Sequence, residues 1–395
     1  MSKTTTISII SPHYRGPRHR LENIALSLKE KFIVYLFIFS SDVPKSMIHK
    51  EDNATFYYIK IPLIIRRLRL YYLFYVPIII FSALKADILF TNEAYKTASM
   101  AGVISKILHK KIILFYGTLY FQELELHSRK VSSIPKAFKI RLYKTMEFIM
   151  ASTIDLIISP DSRATNYFQN HKLKPKIVDW FDIGTVNTNQ FKFNPIIRKE
   201  YRKKMNIPDT DTILLYVGDL SERDGADIAI ESFEKISNQR SDVWLVMIGS
   251  GSIDFINKLN RQISVKRIDK IILTGHIPHS LIQNYMMTAD IAILPYQEPN
   301  CGIGNIVVEL MSIGIPIVAS NFSDIKKVLI NGKTGFIAED KEDFTNKTEE
   351  LVHNEKLREK FVMNYRKYAL EHFSYQAFSS KFMNILKKLA ILESA

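Results

Sequence analysis

The strongest constraint in this 395-residue chain is a rhythm: short, nearly unbroken apolar or β-branched runs, each followed by a stretch with helical spacing. Ser8–Ser11 precedes Arg20–Lys31, and Ile33–Phe39 follows. Ile88–Phe90 leads into Ala94–Leu108, Ile112–Tyr116 comes next, and Ile157–Ser159 leads into Arg163–His171. The second half repeats the beat: Thr212–Val217 precedes Asp227–Ile236, and Trp244–Ile248, Ile271–Thr274, Ile291–Pro295 and Ile315–Ala319 each precede a helical segment. Strands that lack polar alternation are covered on both faces, and alternating helices supply that cover in a parallel sheet. The pattern predicts an α/β chain built from doubly wound parallel sheets.

Two sheets are expected, because 395 residues exceed one ordinary core. Around Phe193–Asp211 the composition turns charged between Pro195 and Pro208, which reads as a connector carrying a short helix. After Asp340 only helical spacing remains, over Lys341–Val352, Lys356–His372 and Ser374–Leu392.

Charge narrows the ligand class. Fifty-four basic against 40 acidic side chains give +14, which favours nucleotides, nucleic acid or acidic lipid headgroups. The basic residues read as spread along the chain and no nucleic-acid module is recognisable, so nucleic acid is not an expected partner. The single cysteine, Cys301, excludes a disulfide framework. MSKTTTISIISP runs directly into a β-branched segment, which reads as a buried strand and not as a signal peptide. The most hydrophobic window, Leu70 to Leu84, holds roughly 15 uncharged residues and Pro77, short of the ~20 that span a bilayer. A cytoplasmic protein is expected, peripheral at most to a membrane.

Open α/β sheets bind ligands at the carboxyl ends of their strands. After Ser8–Ser11 come Arg15, Gly16, Arg18 and Arg20, either a phosphate-side loop or a basic surface turn. No G-x-G-x-x-G occurs, which counts against a nicotinamide enzyme. Tyr216–Asp227 and Val246–Ser252 each place glycines at a strand end, and together they favour a phosphate or nucleotide site. The most informative stretch is Pro295–Asn321, which reads strand, glycine loop, helix, strand. Gly302 and Gly304 open that helix, and Glu309 lies further along it. A carboxylate there can accept two hydroxyl hydrogen bonds from a vicinal diol such as a ribose, or it can simply lie on a solvated face.

Pro295–Asn321 resembles the donor-binding helix of retaining glycosyltransferase family 4, the group 1 enzymes with the GT-B fold. The likeness continues through IKKVLINGKTGFIAED and EHFSYQAFSSKFMNIL. Upstream, VGDLSERDGADIAIESF, VMIGSGS, LTGHIPHSLIQNYMMTADIAILP and IDLIISPDS stand in the expected order. It covers Thr212–Leu386 well and the first half thinly. The resemblance implies an N-terminal acceptor domain over 1–193, a connector over 194–211, a nucleotide-sugar domain over 212–373, and a helix over 374–395 that returns to the first domain. It implies a donor held in an interdomain cleft. Glu309 would hold the ribose hydroxyls, Gly218, Gly249 and Gly251 would line the diphosphate and base side, and Arg223 would be the nearby cation. Gly302, Ile303, Gly304 and Asn305 would contact diphosphate and sugar, and His276 falls where the backbone meets the base.

The sequence departs from the family's best-known form. Cys301 stands eight positions before Glu309 where a second glutamate is usual, with Glu298 out of register. Asp219 and Asp224 replace an arginine and a lysine, and Tyr116-Gly117 replaces a histidine–glycine pair. A branch of the family lacks the first glutamate and reads G-x-x-N-K-x-x-E-x-M; Asn305 matches it, and Ile306 stands at its lysine. The expectation is a retaining, metal-independent transferase acting on a nucleotide-diphospho-sugar, with no cofactor beyond that donor and no catalytic residue assignable. The alternative is a non-catalytic GT-B subunit that binds a nucleotide or partner; a GT-B-shaped epimerase would need acid and base carboxylates that are not identifiable.

A literal D-x-D at Asp209–Asp211 precedes a strand and reads as turn chemistry. On the acceptor side, Ile61–Leu84 mixes Arg66, Arg67 and Arg69 with aromatics and a long apolar run. That suits either an anionic membrane interface and a lipid-linked acceptor, or a buried helix with a basic edge.

Overall fold

The computed structural model describes residues 5–11, 20–41, 43–67, 71–92, 96–116, 136–159, 162–170, 176–179, 186–297, 305–321 and 325–388. The chain forms two compact units, one of residues 1–185 with 375–395, the other of residues 186–374. Both are doubly wound α/β, as the strand–helix rhythm predicts.

The first unit contains β1 (Thr6–Ser11), β2 (Ile33–Ser40), β3 (Met47–Glu51), β4 (Ala54–Lys60), β5 (Ile88–Thr91), β6 (Lys111–Phe115), β7 (Leu156–Ser159) and β8 (Lys176–Asp179). Their order across the sheet is β3-β4-β2-β1-β5-β6-β7-β8. Every pairing is parallel except β3 on β4. That edge hairpin is the antiparallel exception on an otherwise parallel sheet among the described strands. Its turn needs only Asp52 and Asn53, with Asp52 left-handed at φ 52°, so no crossover is required. The β3 side chains are all exposed, so the strand carries no apolar signature.

Helix α1 (Arg20–Leu28) covers one face of this sheet together with the last helix of the chain, α14 (Tyr375–Lys388). Leu21, Ala25 and Leu28 pack there with Phe378, Phe382 and Leu386, and the Tyr375 hydroxyl donates to Asn23 at 2.9 Å. On the other face lie α2 (Leu63–Arg67), α3 (Tyr71–Lys85), α4 (Lys96–Ile107), α5 (Lys136–Thr153) and α6 (Ser162–Asn170), sharing a second cluster around Ile79, Ala101, Met150 and Phe168.

The second unit contains β9 (Thr212–Val217), β10 (Val243–Ile248), β11 (Ile271–Gly275), β12 (Ile291–Leu294), β13 (Ile317–Ser320) and β14 (Phe336–Ala338), in the order β11-β10-β9-β12-β13-β14. All pairings are parallel. Numbered within the unit, that is 3-2-1-4-5-6, with the topological switch point between β9 and β12. The helices are α7 (Pro195–Lys204), α8 (Ala226–Ser237), α9 (Ile253–Lys266), α10 (His279–Met286), α11 (Asn305–Ile313), α12 (Lys341–His353) and α13 (Glu355–Phe373).

The stretch from 194 to 211 lies inside this unit. Asn194 caps α7 by accepting from the Ile196 amide at 2.9 Å, and Pro195 occupies the first turn. Arg202, fully buried, donates to the carbonyls of Thr288, Pro208, Asp209 and Asp211 and to Asp290 at 2.6 Å. Arg198 reaches the carbonyls of Met287, Thr288 and Ala289 and the other Asp290 oxygen. The free carbonyls after α10 are thus capped by arginines from α7. Burial lowers the Arg202 pKa, opposed by Asp290. Asp211 accepts from the Trp244 indole at 2.8 Å and from Lys270 at 3.2 Å, so the D-x-D segment is used structurally at the amino end of β9.

Basic residues are spread along the chain as read, but acidic ones are not, so net charge divides unevenly. The first unit holds 30 basic and 15 acidic residues, a net of +15; the second holds 24 and 25, a net of −1. The whole surplus belongs to one unit, and residues 1–185 carry most of it before α14 adds its lysines.

Candidate functional site

The candidate site is the carboxyl edge of the second sheet. β9 is an apolar run that ends at Gly218, and residues 219–225 turn the chain into α8. Tyr216 is buried at the end of that run, and its hydroxyl donates to the Asp219 carbonyl at 2.6 Å. Burial, reinforced by Asp224, pushes its pKa far up, so it stays a neutral donor that pins the loop. Tyr296, after β12, is pushed up in the same way, again mainly by burial.

Neighbouring loops are stitched together through backbone. The Leu220 amide donates to the Ser250 carbonyl at 2.8 Å, and the Gly249 amide to the Gly275 carbonyl at 3.2 Å. On the other side of β9, the Gln297 amide donates to the Arg223 carbonyl at 2.9 Å. The loops after β9 and β12 therefore touch across the switch point. Gly225 shows how close they come: it is left-handed at φ +74°, and a Cβ there would lie 1.8 Å from the Pro295 carbonyl oxygen.

The predicted glycines divide by cause. A Cβ on Gly249 would meet the Gly218 carbonyl at 1.8 Å, and one on Gly251 the Leu220 carbonyl at 2.1 Å. Contact between loops already requires both. Gly218 is different. A Cβ there would have its nearest neighbour, the Tyr216 hydroxyl, at 3.6 Å, so nothing in the described protein demands a glycine.

Arg223 is held by two acids, with Asp224 at 3.0 Å and Asp219 at 3.7 Å. Its side chain remains 51% exposed, whereas that of Asp224 is 8% exposed. The cation expected beside a diphosphate is thus partly neutralised by the two residues that depart from the family pattern. Gly225 gives α8 an N-cap with no side-chain hydrogen bond; the Ala226 amide donates to the Ser221 carbonyl at 3.2 Å, and no Gly225 side chain caps the amides that follow.

Glu309 lies one turn into α11, and at 7% exposure it does not occupy a solvated face. At the start of the same helix, Asn305 has a buried side-chain oxygen with no hydrogen-bond partner among the described residues. An unsatisfied buried amide oxygen costs about 1–3 kcal/mol, which a ligand hydroxyl can recover. His276 follows β11 on the same edge and is exposed.

Gly218, Arg223, Gly249, Gly251 and His276 thus share one edge of one sheet, with Asn305 and Glu309 on the helix that follows β12. Arg15, Gly16, Arg18, Arg69, Glu298, Cys301, Gly302, Ile303 and Gly304 lie outside the described residues, as do the side chains of Arg66 and Arg67. Sequence reasoning passed over Tyr216 and Gln297. A hydroxyl inside an otherwise apolar strand, directly before a glycine loop, was the signal for Tyr216; the role of Gln297 lies in its backbone and left none.

Residues 197–368 match the family model described as Glycosyl transferases group 1. Among relatives, the chain is 26% identical over 293 residues to the capsular polysaccharide biosynthesis glycosyltransferase CapM of Staphylococcus aureus, covering 72% of this chain and 73% of that one. It is 23% identical over 197 residues to the alpha-D-kanosaminyltransferase of Streptomyces kanamyceticus, and there it spans only 50% of the relative. Among solved structures, HepE of Anabaena in complex with UDP superposes with a TM-score of 0.72 at 14% identity, over 97% of this chain and all of HepE. WaaG, a glycosyltransferase involved in lipopolysaccharide biosynthesis, gives 0.67 at 16% identity, over 96% of this chain and 99% of WaaG. The fold is GT-B. The family match and the relatives together support a group 1 glycosyltransferase.

Proposed function

We propose that the chain is a retaining GT-B transferase of the family 4 type that moves a sugar from a nucleotide-diphospho-sugar to a lipid-linked or glycan acceptor, without a metal, at the cytoplasmic face of a membrane. The observation that carries the reading is the burial of Glu309 one turn into the helix behind the β12 loop, on the switch-point side of the sheet. A carboxylate held at that position can accept two hydrogen bonds from a vicinal diol that reaches it. HepE binds UDP, and further structures of it contain UDP-glucose, which fits a nucleotide-sugar on this fold.

Under this reading the leaving diphosphate is stabilised by the amides at the start of α8 and α11 and by Arg223 once it turns from its acids. Asn305 accepts a hydroxyl of the donor sugar. The departing phosphate itself assists removal of the acceptor proton, so no side chain is assigned as base.

Calorimetric titration with UDP-, GDP- and ADP-sugars, followed by a donor-hydrolysis assay, tests the proposal. Tight binding of one donor class with slow hydrolysis is the expected result. Binding without turnover of any donor would identify a non-catalytic nucleotide-binding subunit instead. Absence of binding to all three classes would remove the reading.

A further inference from the structure

The first unit exposes a surface that donor binding in the second unit does not use. Helix α3 is apolar all round: from Tyr71 to Leu84 it carries no charged residue. Its inner side is anchored in the core by Ile79 and Ala83, both fully buried. Its outer side nevertheless shows Phe74, Phe81 and Leu84 at 38, 48 and 64% exposure, spaced to form one stripe. A free amphipathic helix at a bilayer needs a polar face; here the sheet takes that role, so both faces can be apolar.

The neighbouring helices extend the stripe. α4 packs against α3 and α5 packs against α4, and all three root in the same cluster on the same face of the sheet. Ile107 on α4 is 69% exposed and Phe148 on α5 is 65% exposed. Arg141 and Lys144 lie seven and four residues before Phe148, on its side of α5, and both are exposed. Lys106 and Lys111 flank Ile107 in sequence and share Asp155 at 3.5 and 3.9 Å, with more than half of each side chain exposed. No helix among the described residues is long and apolar enough to cross a membrane, and α3, at 15 residues, falls short of the ~20 required.

We infer that the outer face of α3, α4 and α5 docks on an anionic lipid surface, with the aromatic and aliphatic side chains entering the headgroup boundary and the arginine and lysines above them contacting acidic headgroups. The charge of this unit, +15, is complementary to such a surface. The same charge opposes a second copy seated face to face, because a two-fold contact would set one basic rim against another. The inference deepens the acceptor side of the proposed function, on which it rests only for its purpose: it would bring the enzyme to a lipid-linked acceptor.

The test is sedimentation of the full chain with vesicles of phosphatidylcholine alone or mixed with phosphatidylglycerol, at low and high salt. Binding to the mixed vesicles, weakened by salt and absent from phosphatidylcholine alone, is expected. Phe81→Asp and Phe148→Asp should each lower that binding about tenfold or more, while Met363→Asp, at an exposed apolar position of the second unit, should leave it unchanged. Thermal melting confirms that each variant folds. No vesicle binding by the unaltered chain, equal loss with Met363→Asp, or a dimer in analytical ultracentrifugation that the same two variants abolish would each overturn the inference. Donor titration of the same proteins separates the two questions, since Phe81→Asp should leave donor affinity unchanged.

Discussion

The two units carry a related architecture on opposite terms. In the first, the surplus of charge is +15, and exposed apolar side chains gather on three adjacent helices. In the second, charge nearly cancels, and the exposed apolar residues, such as Ile196, Val265 and Met363, stand on separate helices. Glycines are distributed in the reverse sense. Those that bring backbones within contact among the described residues, Gly225, Gly249, Gly251 and Gly335, belong to the second unit, the first three beside the loop that follows β9. A sheet edge made of touching backbone suits a small polar ligand that needs amides and one or two aimed side chains. A broad basic and apolar face suits a large, soft partner. The same fold class serves both because function resides in loops and outer helix faces, while the sheet only positions them.

The contrast can be broken most severely at the arginine clamp. Arg202→Met removes a buried donor from Asp290 and from four carbonyls, of which Arg198 still reaches Asp290 and Thr288, and should cost about 3 kcal/mol. Scanning calorimetry should show the second unit melting earlier while the transition of the first stays in place; equal shifts in both would deny that the units are energetically separate.

At the site itself, Glu309→Gln should weaken donor binding by about 1.5–3 kcal/mol in titration, with the far-UV dichroism unchanged. Unaltered donor affinity would remove the central assignment. A paired glycine experiment sharpens the distinction between scaffold and ligand contact. Gly225→Ala should destabilise the second unit by roughly 1 kcal/mol or more in urea, because its backbone is left-handed and the Pro295 carbonyl blocks a side chain. Gly218→Ala should cost under about 0.5 kcal/mol of stability and yet lower donor affinity. Should it lower neither, no ligand approaches that glycine.

Smaller effects follow. Tyr216→Phe should cost about 1 kcal/mol by freeing the Asp219 carbonyl, read as a lower urea midpoint. Smallest of all, Lys29→Ala in the first unit breaks pairs with Glu51 and Asp52 at the surface, and should change its stability by no more than about 1 kcal/mol.

Legibility varied with locality. β9 spans Thr212–Val217 as read from the sequence, since six consecutive apolar or β-branched residues between turn signals leave little alternative. β3 and β4 were missed: MIHKE is wholly exposed, and such an edge strand has no burial to write into its residues. β14 carries no strand signal of its own, because three residues are too few to show a period. Arg223 was placed in the correct loop, but its pairing with Asp219 and Asp224 depends on how residues 219–225 curl under the Tyr216 hydroxyl. That Glu309 sits on a helix could be read from spacing; that it is buried could not, because burial is decided by what packs over the helix.

What the chain states by itself is therefore its strand–helix alternation and the addresses of the loops where a ligand can meet backbone amides. Those are local properties, written as runs and periods of neighbouring residues. Tertiary structure alone decided which glycines serve scaffold contacts and which carboxylate is withdrawn from water. Each of these depends on residues distant in sequence: Pro295 decides what Gly225 can be, and α14 closes a core that begins more than three hundred residues earlier. Coulomb and desolvation energies depend on distances in space, and those exist only once the chain has folded.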